Sequence, residues 1–147
     1  MTDSISQAER SAMMARIRGK NTRPELAVRK LVFAAGYRYR LHVRHLPGSP
    51  DLVFHSRKKV IFVHGCFWHR HEGCSSSRIP KSRVDFWTSK LNGNRARDAR
   101  NYESLIASGW QVFVVWECEL IDLAALERRL RLFLEAPSSA TLSIQPC

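Results

Sequence analysis

Two short runs of β-branched and aromatic residues constrain the fold more than any other feature of this sequence. Residues 60–64 read V-I-F-V-H and residues 111–116 read Q-V-F-V-V-W, and each has the length and composition of a buried strand. The segment 84–107 between them is typical of a helix, weakened or bent at Gly93. A helix that joins two buried strands indicates an α/β protein in which helices cover a sheet.

The remaining segments complete this α/β pattern. Thr22-Arg23-Pro24-Glu25 has the form of a capping box at the start of a helix that ends before Gly36. The apolar stripe of that helix consists of Leu26, Val28, Leu31, Val32 and Ala35. Three strands followed by a helical crossover predict a mixed sheet flanked by helices. The other predicted elements are a basic helix at 6–18 that stops at Gly19, strands at 37–43 and 51–55, a polar turn at 56–59, an irregular loop at 65–83 and a closing helix at 122–134.

The charge of the chain is strongly positive and unevenly distributed. The 24 lysines and arginines exceed the 13 acidic residues, giving a net charge of +11, and residues 1–105 carry 21 of the basic side chains. Such an excess is typical of a protein that binds a polyanion, and it favours nucleic acid over a merely solvated basic surface. Residues 1–10 do not resemble a signal peptide and no apolar run approaches membrane-spanning length, so we expect a cytoplasmic protein.

The segment at 65–74, G-C-F-W-H-R-H-E-G-C, is the densest in potential metal ligands. Zinc takes four sulfur or imidazole ligands in a tetrahedron. Cys66, His71 and Cys74 supply three such ligands, and Cys118, just after the strand at 111–116, is the remaining internal cysteine. The spacing predicts one structural Zn²⁺ that pins this loop to the sheet, whereas the alternative is a set of unconnected buried thiols.

A carboxylate and two further histidines lie close to this segment in the predicted sheet. Asp51 begins a strand after Pro50, and the adjacent strand ends at His64, so the two residues are expected near one end of the hairpin. A carboxylate held by rigid strands suits Mg²⁺, although an Asx-type turn is the alternative reading of Asp51. If zinc takes His71, His64 and His69 are left over, and a histidine beside a metal-bound water or phosphate can accept or donate a proton near neutral pH. The alternative reading of His64 is a strand-end residue with satisfied hydrogen bonds.

Aromatic residues in the same region are unusual for a polar loop. Phe67 and Trp68 lie between the candidate zinc ligands, and Trp87 begins the long helix that follows. These side chains form either a small satellite core beneath the loop or a surface offered to a partner. Aromatics among basic residues can stack on bases or wedge between base steps.

The segments H-G-C-F-W-H-R-H at 64–71, P-D at 50–51 and V-V-W-E-C at 114–118 together resemble the very short patch repair endonucleases. The likeness spans roughly residues 10–120. It implies a restriction-endonuclease-like fold with a zinc-anchored loop. It also implies an enzyme that nicks one DNA strand 5′ of the thymine in T·G mispairs, which arise by deamination of 5-methylcytosine. Repair of this kind is paired with a cytosine-5 methyltransferase.

The resemblance also implies roles for individual residues. Asp51 would bridge two Mg²⁺ ions, with the backbone carbonyl of Val63 as a further ligand. His69 would act as general base or otherwise activate the hydrolytic water, His64 would contact the scissile phosphate, and Glu25 would hold metal-bound water. The aromatic wedge would consist of Phe67, Trp68 and Trp87, and Met14 would approach the minor groove.

The chain departs from the family pattern in three places. Val63 stands where threonine is common, and two residues rather than one separate His71 from Cys74. The terminal segments match less well than the central motifs do. Because the ligand at position 63 is a backbone carbonyl and a loop absorbs one insertion, the first two differences leave the expected chemistry intact.

The resemblance divides the chain into a DNA-contacting helix at 1–20, an endonuclease domain at 21–136 and a flexible tail at 137–147. We expect a monomer in the bacterial cytoplasm, associated with the nucleoid, acting with other mismatch-repair proteins and a DNA polymerase. One alternative is a restriction-like endonuclease of other specificity. Another is a non-catalytic, zinc-stabilised DNA-binding module, against which Asp51 argues, because binding a polyanion requires no carboxylate there.

Overall fold

The structure, a computed structural model, describes residues 22–137 and the backbone of residues 144–145. This part of the chain contains three helices and five strands, with short 3₁₀ turns between some of them. In chain order they are α1 (Arg23–Ala34), β1 (Arg40–Leu41), β2 (Leu52–Phe54), β3 (Lys59–His64), α2 (Val84–Ala107), β4 (Gln111–Trp116), α3 (Leu123–Glu135) and β5 (Ile144–Gln145).

The five strands form one mixed sheet in the order β1-β2-β3-β4-β5. Strands β1, β2 and β3 are antiparallel neighbours, whereas β4 runs parallel to both β3 and β5. The long helix α2 makes the crossover that a parallel β3–β4 pair requires. The predicted mixed sheet flanked by helices is therefore confirmed.

Side chains of the two central strands, β3 and β4, point alternately to opposite faces of the sheet, which divides the core into two layers. Ile61, Phe113 and Val115 pack on one face against α1 and α3, while Val60, Phe62 and their neighbours pack on the other face against α2. Successive residues of a strand point to opposite faces, so a strand covered on both sides is apolar throughout. The site described below lies at the end of β3, near its pairing of His64 with Trp116.

Helix α1 begins as predicted and buries the predicted apolar stripe except for its first residue. Thr22 caps it by accepting a hydrogen bond from the backbone N–H of Glu25, at 3.4 Å. Val28 and Val32 are buried, whereas Leu26, predicted to belong to the apolar stripe, is 48% exposed. Glu25 is also buried, at 1% exposure, and its carboxylate contacts Arg29 one turn later on the helix and His42 outside it.

The antiparallel part of the sheet is shorter than predicted. Strand β1 covers only two residues of the segment 37–43, since His42 adopts a left-handed φ of 47° that ends it. The polar turn predicted at 56–59 ends one residue early. Lys59 starts β3 and is 1% exposed, with Nζ donating to the carbonyl oxygens of Phe133 at 2.5 Å and Ala136 at 2.5 Å.

The later elements follow their predictions closely. Helix α2 is continuous through Gly93, and Asp122 caps α3 by accepting from the N–H of Ala125 at 3.1 Å. The segment 65–83 is irregular apart from the 3₁₀ turn Ser75–Ser77. None of the described helices has the length and apolar character needed to span a membrane.

Two predictions concern the ends of the chain. The basic helix at 6–18, including Met14 and most of the predicted DNA-contacting segment 1–20, lies outside the described residues. Strand β5 pairs with β4 inside the segment 137–147, for which we expected a flexible tail. Because most of that segment is not described, the tail stays a prediction.

Candidate functional site

Two carboxylates and a histidine meet where α1 approaches the sheet. Asp51 precedes β2, and its Oδ2 accepts a hydrogen bond from the backbone N–H of Val63 on β3, at 2.7 Å. Glu25 of α1 lies close by, with its Oε2 2.6 Å from Nε2 of His42. His42 Nε2 is also 3.8 Å from Oδ1 of Asp51, and the ligand atoms of Glu25, His42 and Asp51 all lie within 4.8 Å of one another.

The electrostatics of this cluster suit a cation. Burial raises the pKa of Asp51 to about 7, and the nearby Glu25 adds to the rise, against the opposing hydrogen bond from Val63. Two partly desolvated carboxylates repel each other, and a divalent cation between them removes that repulsion. Carboxylate oxygens are the ligands that Mg²⁺ prefers, so the donor set fits the predicted metal.

A second group consists of His64, His69 and Asp98. Nδ1 of His69 lies 2.5 Å from Oδ2 of Asp98 on α2, and the same oxygen is 4.0 Å from Nε2 of His64. The two imidazole rings stack with their centroids 3.6 Å apart. A carboxylate at Nδ1 fixes the ring so that Nε2 of His69 carries the lone pair available for accepting a proton.

His64 is more enclosed than His69. It is 5% exposed, and Nε2 lies 2.6 Å from the hydroxyl of Tyr102. Burial holds the pKa of His64 well below its usual value of 6.5, and the neighbouring His69 lowers it further. His64 is therefore a neutral ring that packs against His69.

The two groups face the same cavity of about 540 Å³. Its wall includes His42, Arg44, Asp51, Val63, His69 and Asp98. Strand β3 holds them together, since Val63 bonds the first group and His64 stacks on the second. The cavity thus combines the Asp51 carboxylate, which could bind a cation, with an oriented histidine.

The four predicted zinc ligands also come together. The ligand atoms of Cys66, His71, Cys74 and Cys118 all lie within 4.8 Å of one another, and Sγ of Cys118 is 3.5 Å from Nδ1 of His71. Burial raises the pKa of the Cys66 thiol to about 12, while a backbone hydrogen bond from Ser76 lowers that of Cys74. Burial lowers the pKa of His71, which keeps its ring in the neutral form that ligates metals.

This cluster joins the irregular loop to the sheet. Cys118 lies just beyond the end of β4, and the ring of His71 stacks on Trp116 of that strand with centroids 4.2 Å apart and 8° between planes. Three sulfurs and one imidazole nitrogen suit a tetrahedral zinc ion. The arrangement can therefore hold a metal that anchors the loop.

The aromatic residues of the loop pack on one another without becoming fully buried. Trp87 at the start of α2 contacts Phe67 with ring centroids 5.5 Å apart and Trp68 at 6.0 Å, both edge to face. Phe67 and Trp68 also contact each other at 5.0 Å. All three are partly exposed, so this aromatic cluster combines packing with a surface open to a partner.

The sequence pattern did not reveal three residues of the site. His42 ends a two-residue strand, and Asp98 lies in an arginine-rich stretch of α2 that reads as a solvated helix face. Tyr102 lies one turn after Asp98, and a lone tyrosine carries no signal. A carboxylate amid arginines was the one usable indication.

Of the residues predicted for the site, all but one are described, and they fall into the groups above. The first cavity holds Asp51, Val63, His64 and His69, with Glu25 bonded at its edge through His42. Met14 lies outside the described residues.

Comparison with known proteins gives several extended matches. The family model of DNA mismatch endonuclease Vsr matches residues 2–75. Type II nicking enzyme V.XorIIP of Xanthomonas oryzae pv. oryzae is 57% identical over 92% of this chain and 98% of its own length. Type II nicking enzyme V.NmeAIP of Neisseria meningitidis serogroup A is 45% identical over 88% and 92%, respectively.

A further relative carries the family name itself. DNA mismatch endonuclease Vsr of Escherichia coli K12 is 39% identical over 82% of this chain and 76% of the relative. The chain belongs to the family of the DNA mismatch endonuclease Vsr, the very short patch repair endonucleases, and is an endonuclease that acts on DNA.

Proposed function

We propose that this endonuclease requires Mg²⁺ and nicks one strand 5′ of the thymine in a T·G mispair left by deamination of 5-methylcytosine, initiating very short patch repair. The observation that carries the proposal is the shared cavity, whose wall includes both Asp51 and His69. The relatives' names support nicking and mismatch recognition. The mixed sheet with its site at the β2–β3 hairpin further supports a restriction-endonuclease-like fold.

Asp51 would hold the catalytic metal, as the bridging ligand of two Mg²⁺ ions, together with the backbone carbonyl of Val63. Glu25 would hold metal-bound water from the α1 side. Bound Mg²⁺ stabilises negative charge on the transferring phosphate and lowers the pKa of water. The short hydrogen bond from Val63 N–H fixes the Asp51 carboxylate, and a rigid ligand is what such a site requires.

His69 acts as the general base in this proposal. Asp98 holds the proton of the ring on Nδ1, so Nε2 can accept a proton from the attacking water. His64 stacks on the ring of His69 and contacts the scissile phosphate. A phosphate oxygen then replaces the Tyr102 hydroxyl at Nε2 of His64. The histidines and the carboxylates thus act on opposite sides of the same cavity.

The aromatic cluster supplies mispair recognition. Inserting Phe67, Trp68 and Trp87 between base pairs costs a few kcal/mol per unstacked step, and less where the pair is already weak. Stacking on the aromatic faces then recovers roughly 1–3 kcal/mol per base. The cost of insertion is therefore lowest at the mispair, which favours cleavage there.

The cysteine cluster binds one structural Zn²⁺ in this proposal. Its role is mechanical, because the loop that carries both the aromatics and His69 has little apolar core of its own. The N-terminal segment 1–20, with Met14, adds contacts to the DNA. In the cell, the monomeric protein acts at the nucleoid with mismatch-repair proteins, a DNA polymerase and a cytosine-5 methyltransferase.

The main alternative is a restriction-like endonuclease of other specificity, which would use the same carboxylates and histidines. A non-catalytic DNA-binding module is disfavoured, because the chain belongs to an endonuclease family. The two enzymatic hypotheses differ in the DNA that is cut and in the number of strands cleaved.

A panel of duplexes tests the proposal. Each duplex carries one mispair or none, and each strand carries its own 5′ label, so that nicking and double-strand cleavage give different products. We expect one nick beside the thymine of T·G duplexes in Mg²⁺, and none for Asp51→Ala, which keeps most DNA affinity because lysines and arginines supply it. Equal cleavage of matched duplexes would favour the alternative, and cleavage by Asp51→Ala would remove Asp51 from the mechanism.

A further inference from the structure

A second cavity, of about 380 Å³, adjoins His69 of the histidine pair. Its wall includes His69, Arg70, Arg95, Asp98, Tyr102 and Trp116. His69 and Asp98 line both cavities, so this pair forms the partition between them. A group bound in the second cavity would therefore lie directly beside the site of cleavage.

Arg70 is the least satisfied charge at this partition. Its Nη1 is buried and has no hydrogen-bond partner within the part of the chain that the structure describes. The backbone at Arg70 has a left-handed φ of 54°, a conformation that costs energy for a residue with a β-carbon. A partly buried guanidinium without a counterion is unfavourable, and an anion that binds there relieves the cost.

The other charges of the cavity leave room for an anion. Asp98 is engaged by His69 at 2.5 Å, and Glu72 is paired with Arg95 at 3.1 Å. That ion pair is weak, since the Glu72 side chain is 83% exposed and the Arg95 side chain is 50% exposed. Arg95 can therefore turn to an anion that arrives beside Arg70.

We propose that the second cavity is a phosphate subsite, in which Arg70, assisted by Arg95, binds a backbone phosphate next to the scissile one on the strand that enters the nuclease cavity. A guanidinium is suited to this task because its planar fork of N–H donors matches phosphate oxygens. The subsite rests on the proposed function only in taking duplex DNA as its ligand. It would fix the strand against the partition and so set which phosphodiester reaches His69.

Binding measurements in Mg²⁺-free buffer test the subsite. The affinity of a T·G duplex is measured over a salt series for the wild type, Arg70→Gln and a matched control, Arg128→Gln, which removes an exposed arginine from α3 on the opposite face of the sheet. We expect Arg70→Gln to bind about tenfold more weakly, with the magnitude of the salt slope reduced by about 1. The control should match the wild type.

Single neutral methylphosphonate linkages then identify the phosphate. At one position near the nick, the substitution should weaken binding of the wild type but not of Arg70→Gln, because the partner charge is already gone. If Arg70→Gln does not fold, the same cycle is run with Arg70→Lys, whose point charge lacks the planar fork. The coupling must then appear, in weaker form, at that same linkage.

The proposal fails if the losses of binding free energy caused by Arg70→Gln and by a methylphosphonate linkage are additive at every phosphate position. It also fails if Arg128→Gln weakens binding as much as Arg70→Gln does. Nicking of the T·G duplex by the wild-type preparation is recorded alongside. An inactive wild type would count against the proposed function, whereas an active wild type with fully additive losses would count against the phosphate subsite alone.

Discussion

Replacing Asp98 by asparagine isolates the orientation of His69 from every other feature of the site. The change keeps the size of the side chain but offers an amide N–H₂ where Nδ1 now faces a carboxylate oxygen at 2.5 Å. The ring then carries its proton on Nε2, which can no longer accept one from water. Metal ligands, aromatic cluster and phosphate contacts are left in place.

The expected magnitude follows from the role of the base. Loss of a positioned acid–base group lowers rates on the order of 10²–10⁴-fold, equivalent to about 3–5 kcal/mol of barrier. The Asp98 and His69 side chains are only 17% and 28% exposed, so solvent does not readily replace the lost partner. We therefore expect Asp98→Asn to lose nicking by this factor while its DNA affinity changes little.

Single-turnover nicking of a labelled T·G duplex, with enzyme in excess, measures this effect without interference from product release. Asp122→Asn is the matched control, because asparagine at an N-cap supports the helix as well as aspartate does. The control should nick at the wild-type rate. If Asp98→Asn also nicks at that rate, His69 does not depend on the carboxylate and the assignment of the base is wrong.

Three further substitutions test the other parts of the molecule. Trp68→Ala should remove one base stack worth roughly 1–3 kcal/mol and so lower the ratio of mispaired to matched affinity by about 5–150-fold. An unchanged ratio and an unchanged nicking rate would mean that the aromatics serve only in packing. Metal analysis should find one zinc per wild-type chain, and Cys118→Ser should lower both this zinc content and the Tm. Wild-type protein without zinc would refute the site. Lys59→Met should cost about 2–4 kcal/mol in urea unfolding, because carbonyls at the end of α3 lose their buried donor; a change under ~1 kcal/mol would contradict this.

The sequence predicted best those elements that depend on local patterns. The runs at 60–64 and 111–116 are β-branched and apolar throughout, as strands covered on both faces must be, and both are strands. The cysteine cluster could also be predicted from the sequence, because three of its candidate ligands share one loop and few cysteines remained for the fourth position. In both cases most of the residues that determine the structure lie close together in the sequence, so a local pattern is sufficient to predict it.

The sequence did not predict which charged side chains are buried through distant partners. Lys59 looks like part of a polar turn, yet it binds carbonyls of residues more than 70 positions later. Glu25 was predicted for the site, but its contact with His42, 17 positions later, was not. Asp98 pairs with a histidine 29 positions earlier. Burial of a charge is settled by tertiary contacts, which helical or strand periodicity does not encode.

The order of residues in the loop after β3 connects recognition with chemistry. Cys66 and His71 belong to the cysteine cluster that could hold a metal, and they bracket the aromatic pair as well as His69. Trp68 and His69 are joined by one peptide bond, and His69 is held from the other side by Asp98 on α2, the helix that also carries Trp87. If the aromatic cluster inserts into DNA as proposed, any displacement of that cluster has to be absorbed within a segment held at both ends, in which His69 adjoins Trp68. Because Cys118 lies outside that segment, its loss loosens the anchor while leaving both groups intact, and it should impair mispair discrimination and nicking together.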